Sequence, residues 1–276
     1  MLAFAGNSLL CRAALATGRI DAASFTTLRI AAGALTLWLI VRARRTPAAR
    51  AGSWPSALAL FVYAAAFSFA YVTLTAAAGA LLLFGAVQAT MIGVGLWRGE
   101  RLRARQVLGL TAALAGLVGL LLPGLSAPPL TGALLMLSAG VAWGVYSLRG
   151  KGQGDPLRVT AGNFVRAVPL AVVLGLVALP GASLDATGAL LAIASGAIAS
   201  GIGYAVWYAA LPGLAVTSAA TLQLSVPVIA AAGGVLLLGE PLTLRLGLAA
   251  AAILGGIALV VVPNGTSSRR KTRRSG

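Results

Sequence analysis

The sequence contains no histidine, only five carboxylates and a single cysteine, Cys11, among 276 residues. Histidine and paired thiols are the usual ligands of structural zinc, and a lone cysteine has no partner for a disulfide within the chain. General acid–base catalysis also relies mainly on histidine and on carboxylates. These shortages argue against most hydrolytic and redox enzymes, and we expect no cofactor, no metal and no catalytic residues.

Charged side chains are scarce as well. They make up 9% of the chain, 59% of the residues are hydrophobic, and the mean hydropathy is +0.95. A soluble globular protein has roughly 25% charged residues, so this chain has too little polar surface to cover itself in water. We therefore predict a membrane protein, and at about 20 residues per crossing its length allows roughly ten spans.

Ten apolar runs separated by Gly, Pro and Arg support that count. Stretches such as 110–122 and 244–262 are apolar on every side, which is typical of a membrane helix and not of a strand that alternates between lipid and lumen. The predicted fold class is an all-α membrane protein with ten transmembrane helices. The predicted spans are 1–17, 22–41, 54–73, 77–97, 105–122, 129–148, 157–179, 186–209, 215–238 and 243–262.

The net charge of +16 comes from basic residues that are concentrated in alternate connections. They lie in segments 42–50, 98–105, 149–158 and 269–274, whereas the opposite connections hold only Arg12, Arg19 and Arg245. Because basic residues favour the cytoplasmic side, we predict a multi-pass protein of the bacterial inner membrane with both termini in the cytoplasm. The basic tail, 264–276, would lie there beside anionic lipid headgroups. No aromatic residues are interspersed with the arginines, so we expect no nucleic-acid partner.

The chain also contains an internal repeat. The segment Gly99–Leu102 (GERL) recurs 140 residues later as Gly239–Leu242 (GEPL), and Gly116 and Gly256 keep the same offset. Five spans per half is an odd number, so the second half must enter the membrane from the opposite side. We predict two inverted five-helix repeats, at 1–123 and 129–263. Duplication without transport is the alternative, but inverted repeats usually enclose a substrate site at the midplane whose access alternates between the two sides.

These features together resemble the EamA-type branch of the drug/metabolite transporter superfamily. The resemblance covers the chain from about Leu2 to Pro263 and is carried by the ten spans, the paired Gly-Glu-x-Leu segments, the Leu224–Val228 run around Pro227, and Arg29 in the second span. It implies a membrane carrier of small molecules. The first half has Val87 where the second has Pro227, so we expect a proline kink in the second half only.

Within that branch, Trp143 and the tyrosine-rich third and eighth spans are similar to the YddG-type aromatic amino acid exporters. The third span places Tyr63 and Phe67 on one face, and the eighth does the same with Tyr204 and Trp207. Such rings can simply pack together, but tyrosine hydroxyls at depth need partners and indicate a wet cavity. The candidate substrate-binding residues are Trp143, Tyr63, Tyr204, Phe67, Tyr146, Gln88, Asn163, Asn7 and Trp207.

The carboxylates are as informative by position as by number. Asp21, Asp155 and Asp185 lie near predicted helix starts, and Glu100 and Glu240 lie near helix ends, where a carboxylate can cap backbone N–H groups. None lies in the middle of a span, where a proton relay would need one. We predict facilitated export or exchange of a neutral or zwitterionic solute.

Arg29 and Arg166 are the basic residues inside predicted spans, at a cost of about 2.5–3.5 kcal/mol each at a helix centre. Two interpretations stay open. Each arginine either reaches headgroups or neighbouring carbonyl groups, or one of them guides a substrate carboxylate. Asn163, one turn before Arg166, could bond to either arginine.

The sequence thus predicts an exporter of small metabolites, most simply of aromatic or other apolar amino acids, working by alternating access. A broad-specificity drug or metabolite permease of the same fold is the alternative within transport. A membrane-embedded lipid-modifying enzyme is the alternative of another class, although it would need clustered carboxylates. The expected partners are a small-molecule substrate and the lipid bilayer, with the protein acting as a monomer or a homodimer.

Overall fold

A computed structural model describes residues 1–44, 51–124, 127–150, 154–210, 213 and 222–261. Within these residues the chain is helical, with one isolated antiparallel bridge between Ile20 and Leu184. Ten apolar helices are described: α1 Leu2–Leu15, α2 Ala22–Ala43, α3 Trp54–Tyr71, α4 Ala76–Trp97, α5 Ala104–Leu121, α6 Leu130–Gly150, α7 Pro156–Ala178, α8 Ala186–Ala210, α9 Ser225–Leu238 and α10 Leu244–Val261. All except α1 and α9 are long and apolar enough to cross a bilayer.

The helix ends follow the prediction closely, because they are fixed by local chemistry. The three aspartates near predicted helix starts, Asp21, Asp155 and Asp185, are N-caps whose carboxylates accept first-turn backbone N–H groups. At the other end of a helix, Gly99 and Gly239 take positive φ angles of 88° and 65° just after α4 and α9. Glycine adopts this left-handed conformation without steric cost, so the two Gly-Glu segments are helix stops.

The ninth span differs from the prediction. It was expected over 215–238, but α9 begins at Ser225, and residues 214–221 lie outside the described part of the chain. Leu222 and Gln223 are helical, and Leu224 interrupts the helix three residues before Pro227. Proline removes the hydrogen bond to the carbonyl group four residues earlier, which explains the break. The counterpart α4 runs through Val87 without interruption, as predicted.

Helices of the first half pack mainly on helices of the second. The most extensive pairs are α5 with α10, α2 with α7 and α8, and α6 with α3 and α4, while smaller contacts join α1 to α8 and α4 to α9. These pairs are compatible with a two-fold relation that equates each helix with the one five places later, because α3 on α6 then corresponds to α8 on α1. The division into repeats 1–123 and 129–263, and the opposite orientation of the repeats, stay predictions. The tail 264–276 lies outside the described residues.

The middle of α8 departs from α-helical geometry. Residues Ser195–Ile202 form a π-helical segment between the α-helical parts Ala186–Ala194 and Gly203–Ala210. A side chain at Gly196 would place its Cβ 2.2 Å from the carbonyl oxygen of Arg29 in α2. The backbones of α2 and α8 therefore touch at mid-helix, and only glycine fits there. π-Helical turns are rare and occur frequently at functional sites.

Candidate substrate-binding site

A tryptophan near the middle of α6 has three tyrosine neighbours. The ring centroid of Trp143 lies 4.8 Å from that of Tyr63, 5.2 Å from that of Tyr146 and 5.6 Å from that of Tyr204. The rings of Tyr146 and Tyr204 are stacked on it, with interplanar angles of 26° and 21°. Trp143 itself stays half-buried, whereas the three tyrosines are buried. The arrangement brings α3, α6 and α8 together around one indole ring.

Further rings extend this group in both directions. The ring centroid of Phe67 lies 5.5 Å from that of Tyr63, that of Phe4 lies 5.6 Å from that of Tyr204, and that of Trp207 lies 6.2 Å from that of Phe4. We call the connected rings the aromatic cluster; its members are Phe4, Tyr63, Phe67, Tyr71, Trp143, Tyr146, Phe164, Tyr204, Trp207 and Tyr208. Six of the nine predicted site residues belong to it.

Arg29 of α2 enters the cluster from one side. Its side chain is only 2% exposed, and its Nη2 donates a 3.1 Å hydrogen bond to the Tyr63 hydroxyl oxygen. The guanidinium carbon lies 4.8 Å from the ring centroid of Phe67 and 5.3 Å from that of Tyr63, within the range of cation–π attraction. Its Nη1 is buried and has no hydrogen-bond partner among the described residues. The sequence left the role of this arginine open, and in the structure Arg29 lies against Tyr63 and Phe67 of the aromatic cluster.

Asn7 adds a polar contact beside Arg29. Its Oδ1 accepts a 2.5 Å hydrogen bond from the hydroxyl of Ser195, in the π-helical segment of α8. Its Nδ2 approaches the Tyr63 oxygen at 3.5 Å. The predicted residue therefore lies at the junction of α1, α3 and α8, at the edge of the aromatic cluster.

The hydrogen bonds that Asn163 makes to described residues involve neither of the two arginines. Its Oδ1 accepts a 2.9 Å hydrogen bond from the backbone N–H of Ser53, and its Nδ2 donates to the Tyr146 hydroxyl at 3.4 Å. The Tyr146 hydroxyl in turn donates to Thr160 at 3.4 Å. Asn163 thus orients a tyrosine of the cluster and fixes the connection between α2 and α3.

Arg166 bonds neighbouring carbonyl groups, which is the first of the two interpretations given for the intramembrane arginines. Its Nη1 donates hydrogen bonds of 2.7 Å and 2.9 Å to the carbonyl oxygens of Ala51 and Gly162. Ala51 lies in the connection before α3, and Gly162 lies one turn before Arg166 in α7. This arginine is engaged by the protein itself and takes no part in the aromatic cluster.

Comparison with known proteins identifies the fold that holds this cluster. Residues 130–262 match the EamA-like transporter family. Over 264 residues the chain is 61% identical to Uncharacterized protein PA1977 of Pseudomonas aeruginosa, an alignment that covers 95% of this chain and 92% of that protein. The chain belongs to the EamA-like transporter family. A solved crystal structure with 24% sequence identity superposes on this EamA-like transporter with a TM-score of 0.65 and covers 94% of this chain and 95% of that one, which supports the same fold.

Gln88 of the EamA-like transporter lies apart from the other predicted site residues. It lines a separate cavity of about 10 Å³, roughly the space of one water molecule, between α4, α5 and α10. Its neighbours there are apolar and include Leu110, Leu117 and Ile257. The structure therefore does not bring Gln88 to the aromatic cluster.

At the end of the helix bundle that carries Glu240, polar contacts join the two halves of the transporter. The Glu240 carboxylate pairs with Arg12 through a 2.9 Å contact between Oε1 and Nε, and its Oε2 accepts the Ala76 N–H at the start of α4. Arg12 also donates to the carbonyl oxygens of Tyr71 and Val72. Glu240 caps a helix as predicted, although the helix belongs to the other half of the chain.

The other two arginines at this end of the transporter are bonded as well. Arg19 pairs with Asp185 at 3.4 Å, and Arg245 donates to the carbonyl oxygen of Leu122. All three basic residues that the charge pattern assigns to the outer side are thus engaged by the protein. Of the basic residues assigned to the cytoplasmic side, Arg45, Arg50, Lys151 and those of the tail lie outside the described residues.

Sequence reasoning missed Ser195 and Phe164, which contact site residues of the transporter. The signal for Ser195 was present in the small-residue run 195–203, which predicted close helix approach but no hydrogen bond. Phe164 gave no signal, because a phenylalanine in an apolar span is ordinary. Their roles depend on which face of each helix meets its neighbours.

Proposed function

We propose that this transporter exports aromatic or other apolar amino acids across the bacterial inner membrane by alternating access. The observation that carries the proposal is Trp143, half-buried near the middle of α6 with Tyr63, Tyr146 and Tyr204 around it. Aromatic pairs contribute about 0.5–1.5 kcal/mol beyond the burial of their area, so a flat ring that replaced one of these contacts would bind favourably. Membership in a transporter family supports the transport of a small molecule but does not identify the substrate.

The polar groups beside the rings suit the remainder of an amino acid. The Tyr63 hydroxyl, the Asn7 amide and the Arg29 guanidinium lie together on one side of the cluster. Small-molecule sites are commonly built this way, with apolar walls and a few placed polar groups that fix orientation. A substrate with one flat apolar end and one polar end matches both parts.

The distribution of carboxylates supports movement without a proton relay inside the membrane. Asp21, Asp155 and Asp185 cap helix starts, Glu240 is paired with Arg12, and Glu100 follows the end of α4. Intramembrane proton relays depend on acidic or histidine side chains at depth. We therefore propose facilitated export or exchange, with no enzymatic step, by a monomer or homodimer whose two termini face the cytoplasm.

Two features of the packing support alternating access. The backbone contact between α2 and α8 at Gly196 allows one helix to move along the other without interlocked side chains. Gly196 belongs to the π-helical segment of α8, and the neighbouring Ser195 of this segment donates a hydrogen bond to Asn7. A transporter that rocks its halves around a central site needs contacts of this kind beside the site.

The proposal is tested by counterflow in proteoliposomes that contain the purified protein. Labelled tryptophan, phenylalanine, leucine, lysine and glutamate would be compared, and we expect exchange of tryptophan and phenylalanine to exceed that of lysine and glutamate at least about tenfold, or about 1.4 kcal/mol. Trp143→Ala should reduce exchange of the aromatic amino acids by a similar factor. The matched control is Trp97→Ala, since Trp97 is 87% exposed at the end of α4 and should leave exchange unchanged.

Two results would overturn the proposal. Indifference to all five amino acids, combined with exchange of unrelated apolar drugs, would favour the broad-specificity permease. Uphill accumulation of an amino acid driven by a pH gradient alone would contradict the absence of proton coupling. Orientation is measured separately, by labelling single cysteines placed at Arg101 and Arg245 in a Cys11→Ala background with a membrane-impermeant reagent.

A further inference from the structure

Arg29 is a buried cation with a free hydrogen-bond donor. Nη2 is bonded to Tyr63, whereas Nη1 is buried and makes no hydrogen bond to any residue in the described part of the chain. Buried polar atoms of proteins are nearly always bonded, so an exception needs an explanation. A guanidinium remains charged at all physiological pH values, so this group cannot shed its charge to reduce the cost of burial.

The positive charge of Arg29 also has no counter-charge in the described part of the protein. All five carboxylates lie in this part, and each is placed at a helix terminus or in the segment beyond it. The two aromatic faces of Tyr63 and Phe67 offset part of the burial cost through cation–π attraction. They offer no acceptor to Nη1, and a single negative charge would complete the site.

A second unused donor lies next to the first. The Tyr63 hydroxyl oxygen accepts from Arg29 at 3.1 Å and from Asn7 at 3.5 Å, while its own O–H donates to no acceptor among the described residues. Nη1 belongs to the same guanidinium as the nitrogen that bonds this hydroxyl. An anionic oxygen placed beside them can accept from both groups, and hydrogen bonds to a charged acceptor are stronger than neutral ones.

We propose that Arg29 Nη1 and the Tyr63 hydroxyl bind the carboxylate of the transported molecule. The inference rests on the proposed function and names the chemical class of the substrate: an aromatic monocarboxylate, with or without an α-amino group. Because the Tyr63 and Trp143 rings are 4.8 Å apart, a carboxylate at Tyr63 places the substrate ring within reach of Trp143. No carboxylate of the protein lies at the aromatic cluster to pair with an ammonium group, so the amine of the substrate contributes little to binding.

The charge balance limits the anion to a single negative charge. The other arginines within or next to the membrane core are engaged elsewhere, Arg12 by Glu240 and Arg166 by Ala51 and Gly162. A phosphate or dicarboxylate would therefore bring a second charge that no cation at the cluster neutralises. Arg166 also supplies a matched control, because it is an arginine within a predicted span whose Nη1 group already donates to two carbonyl oxygens.

The first test needs no variant. Four compounds that share the phenyl ring compete with labelled L-phenylalanine in counterflow: unlabelled L-phenylalanine, 3-phenylpropanoate, L-phenylalaninamide and phenethylamine. We expect 3-phenylpropanoate to compete within about threefold of L-phenylalanine, and the two compounds that lack a carboxylate to be at least about tenfold weaker, or about 1.4 kcal/mol. Equal competition by the amide and the acid would overturn the inference.

The second test uses variants and a readout that does not require transport. The shift in melting temperature of the purified protein is measured with 3-phenylpropanoate and with phenethylamine. Arg29→Gln should abolish the shift caused by the acid, Arg29→Lys should restore part of it because the charge is kept, and Arg166→Gln should leave it unchanged. If Arg29→Gln is poorly folded, Arg29→Lys and Tyr63→Phe carry the comparison, and Tyr63→Phe should weaken the acid about threefold to tenfold.

Failure of the inference and failure of the proposed function give different results. Exchange of L-phenylalanine with equal competition by acid and amide leaves the exporter proposal intact and refutes the carboxylate site. A melting shift with 3-phenylpropanoate that depends on Arg29, in a protein that exchanges no amino acid, supports the carboxylate site and refutes amino acid export. An acid-induced shift that persists in Arg29→Gln and Arg29→Lys refutes the site regardless of transport.

Discussion

Arg29 and Arg166 both carry the cost of a charged group within a predicted membrane span, but their guanidinium groups are bonded differently. Both are basic residues within a predicted span, one in each half of the chain. Arg166 donates from Nη1 to two backbone carbonyl oxygens, whereas Nη1 of Arg29, beside aromatic rings, finds no acceptor in the part of the chain that the structure describes. Two halves with similar sequence patterns therefore hold one structural arginine and one that is available to a ligand. Repetition in the sequence does not imply repetition of the role.

The paired Gly-Glu segments diverge in the same way. Gly99 and Gly239 both end a helix in the left-handed conformation. The Glu240 carboxylate is 10% exposed, paired with Arg12 and bonded to the first N–H of α4. Glu100 is exposed, and its carboxylate lies against Gly95. Among the described residues, the Gly239–Glu240 segment therefore bonds helices of the other half, whereas the Gly99–Glu100 segment makes no such hydrogen bond.

The largest effect is expected when the connection at Glu240 is removed. Glu240→Ala leaves Arg12 without its partner and the Ala76 N–H without its acceptor, and breaking a largely buried ion pair costs about 3–5 kcal/mol. The free energy of unfolding in mixed micelles should fall by that order. Glu100→Ala should change it by less than about 0.5 kcal/mol, as is usual for an exposed position. Equal losses in the two variants would show that the two segments have the same role.

A second comparison concerns stability at the two arginines. Arg166→Met removes two hydrogen bonds from a charged donor, each of which contributes about 1.5–3 kcal/mol, so the melting temperature should fall. Arg29→Met removes a buried charge with an unbonded nitrogen, and similar replacements are often neutral or stabilising. We expect its melting temperature in the absence of substrate to equal or exceed that of the parent protein. A loss as large as that of Arg166→Met would contradict a ligand-binding role for Arg29.

The smallest expected effect is a pH dependence at Asp21, which lies just outside α2. Burial raises the pKa of Asp21, but hydrogen bonds from Ser24, Ser183 and Ala23 outweigh it, so the pKa lies below the ordinary value. A lowered pKa in the folded state means that the stabilisation is present above the unfolded pKa, near pH 4, and is lost as the pH falls through the folded value.

Melting temperatures of the parent protein and of Asp21→Asn, measured from pH 6 to pH 3, check this effect. Asparagine can still cap α2 but carries no charge, so its curve should be flatter below pH 4. The difference between the two curves should amount to a small part of the total acid sensitivity. Parallel curves over the whole range would mean that Asp21 gains no stability from its hydrogen bonds to Ser183 and α2.

The helices and their ends could be predicted because their causes are local. The length of an apolar run decides whether it can cross a bilayer, and Asp21, Asp155 and Asp185 mark helix starts through hydrogen bonds within one turn. The aromatic stripes could be predicted too, since Tyr63 and Phe67 must share a face whatever surrounds them. The interruption before Pro227 follows from the missing N–H of proline.

The site was only partly predictable, because membership depends on how helices are rotated against each other. Gln88 and Asn163 are equally polar in the sequence, yet one lies beside a small apolar cavity and the other bonds a tyrosine of the cluster. The hydrogen bond between Ser195 and Asn7 joins residues 188 positions apart. No period or motif within a span encodes such a contact.

Composition and pattern alone determined that this chain is a bundle of membrane helices, where most helices begin and end, and that no carboxylate lies at mid-membrane. Transfer from water to lipid acts on each segment separately, so the order of residues suffices for these properties. Only the tertiary structure decided that three tyrosines surround Trp143, that Glu240 pairs with Arg12, and that the Nη1 group of Arg166 bonds two carbonyl oxygens while that of Arg29 finds no acceptor among the described residues. Polar side chains in a membrane bind whatever partner the neighbouring helix presents, and that choice is made by packing.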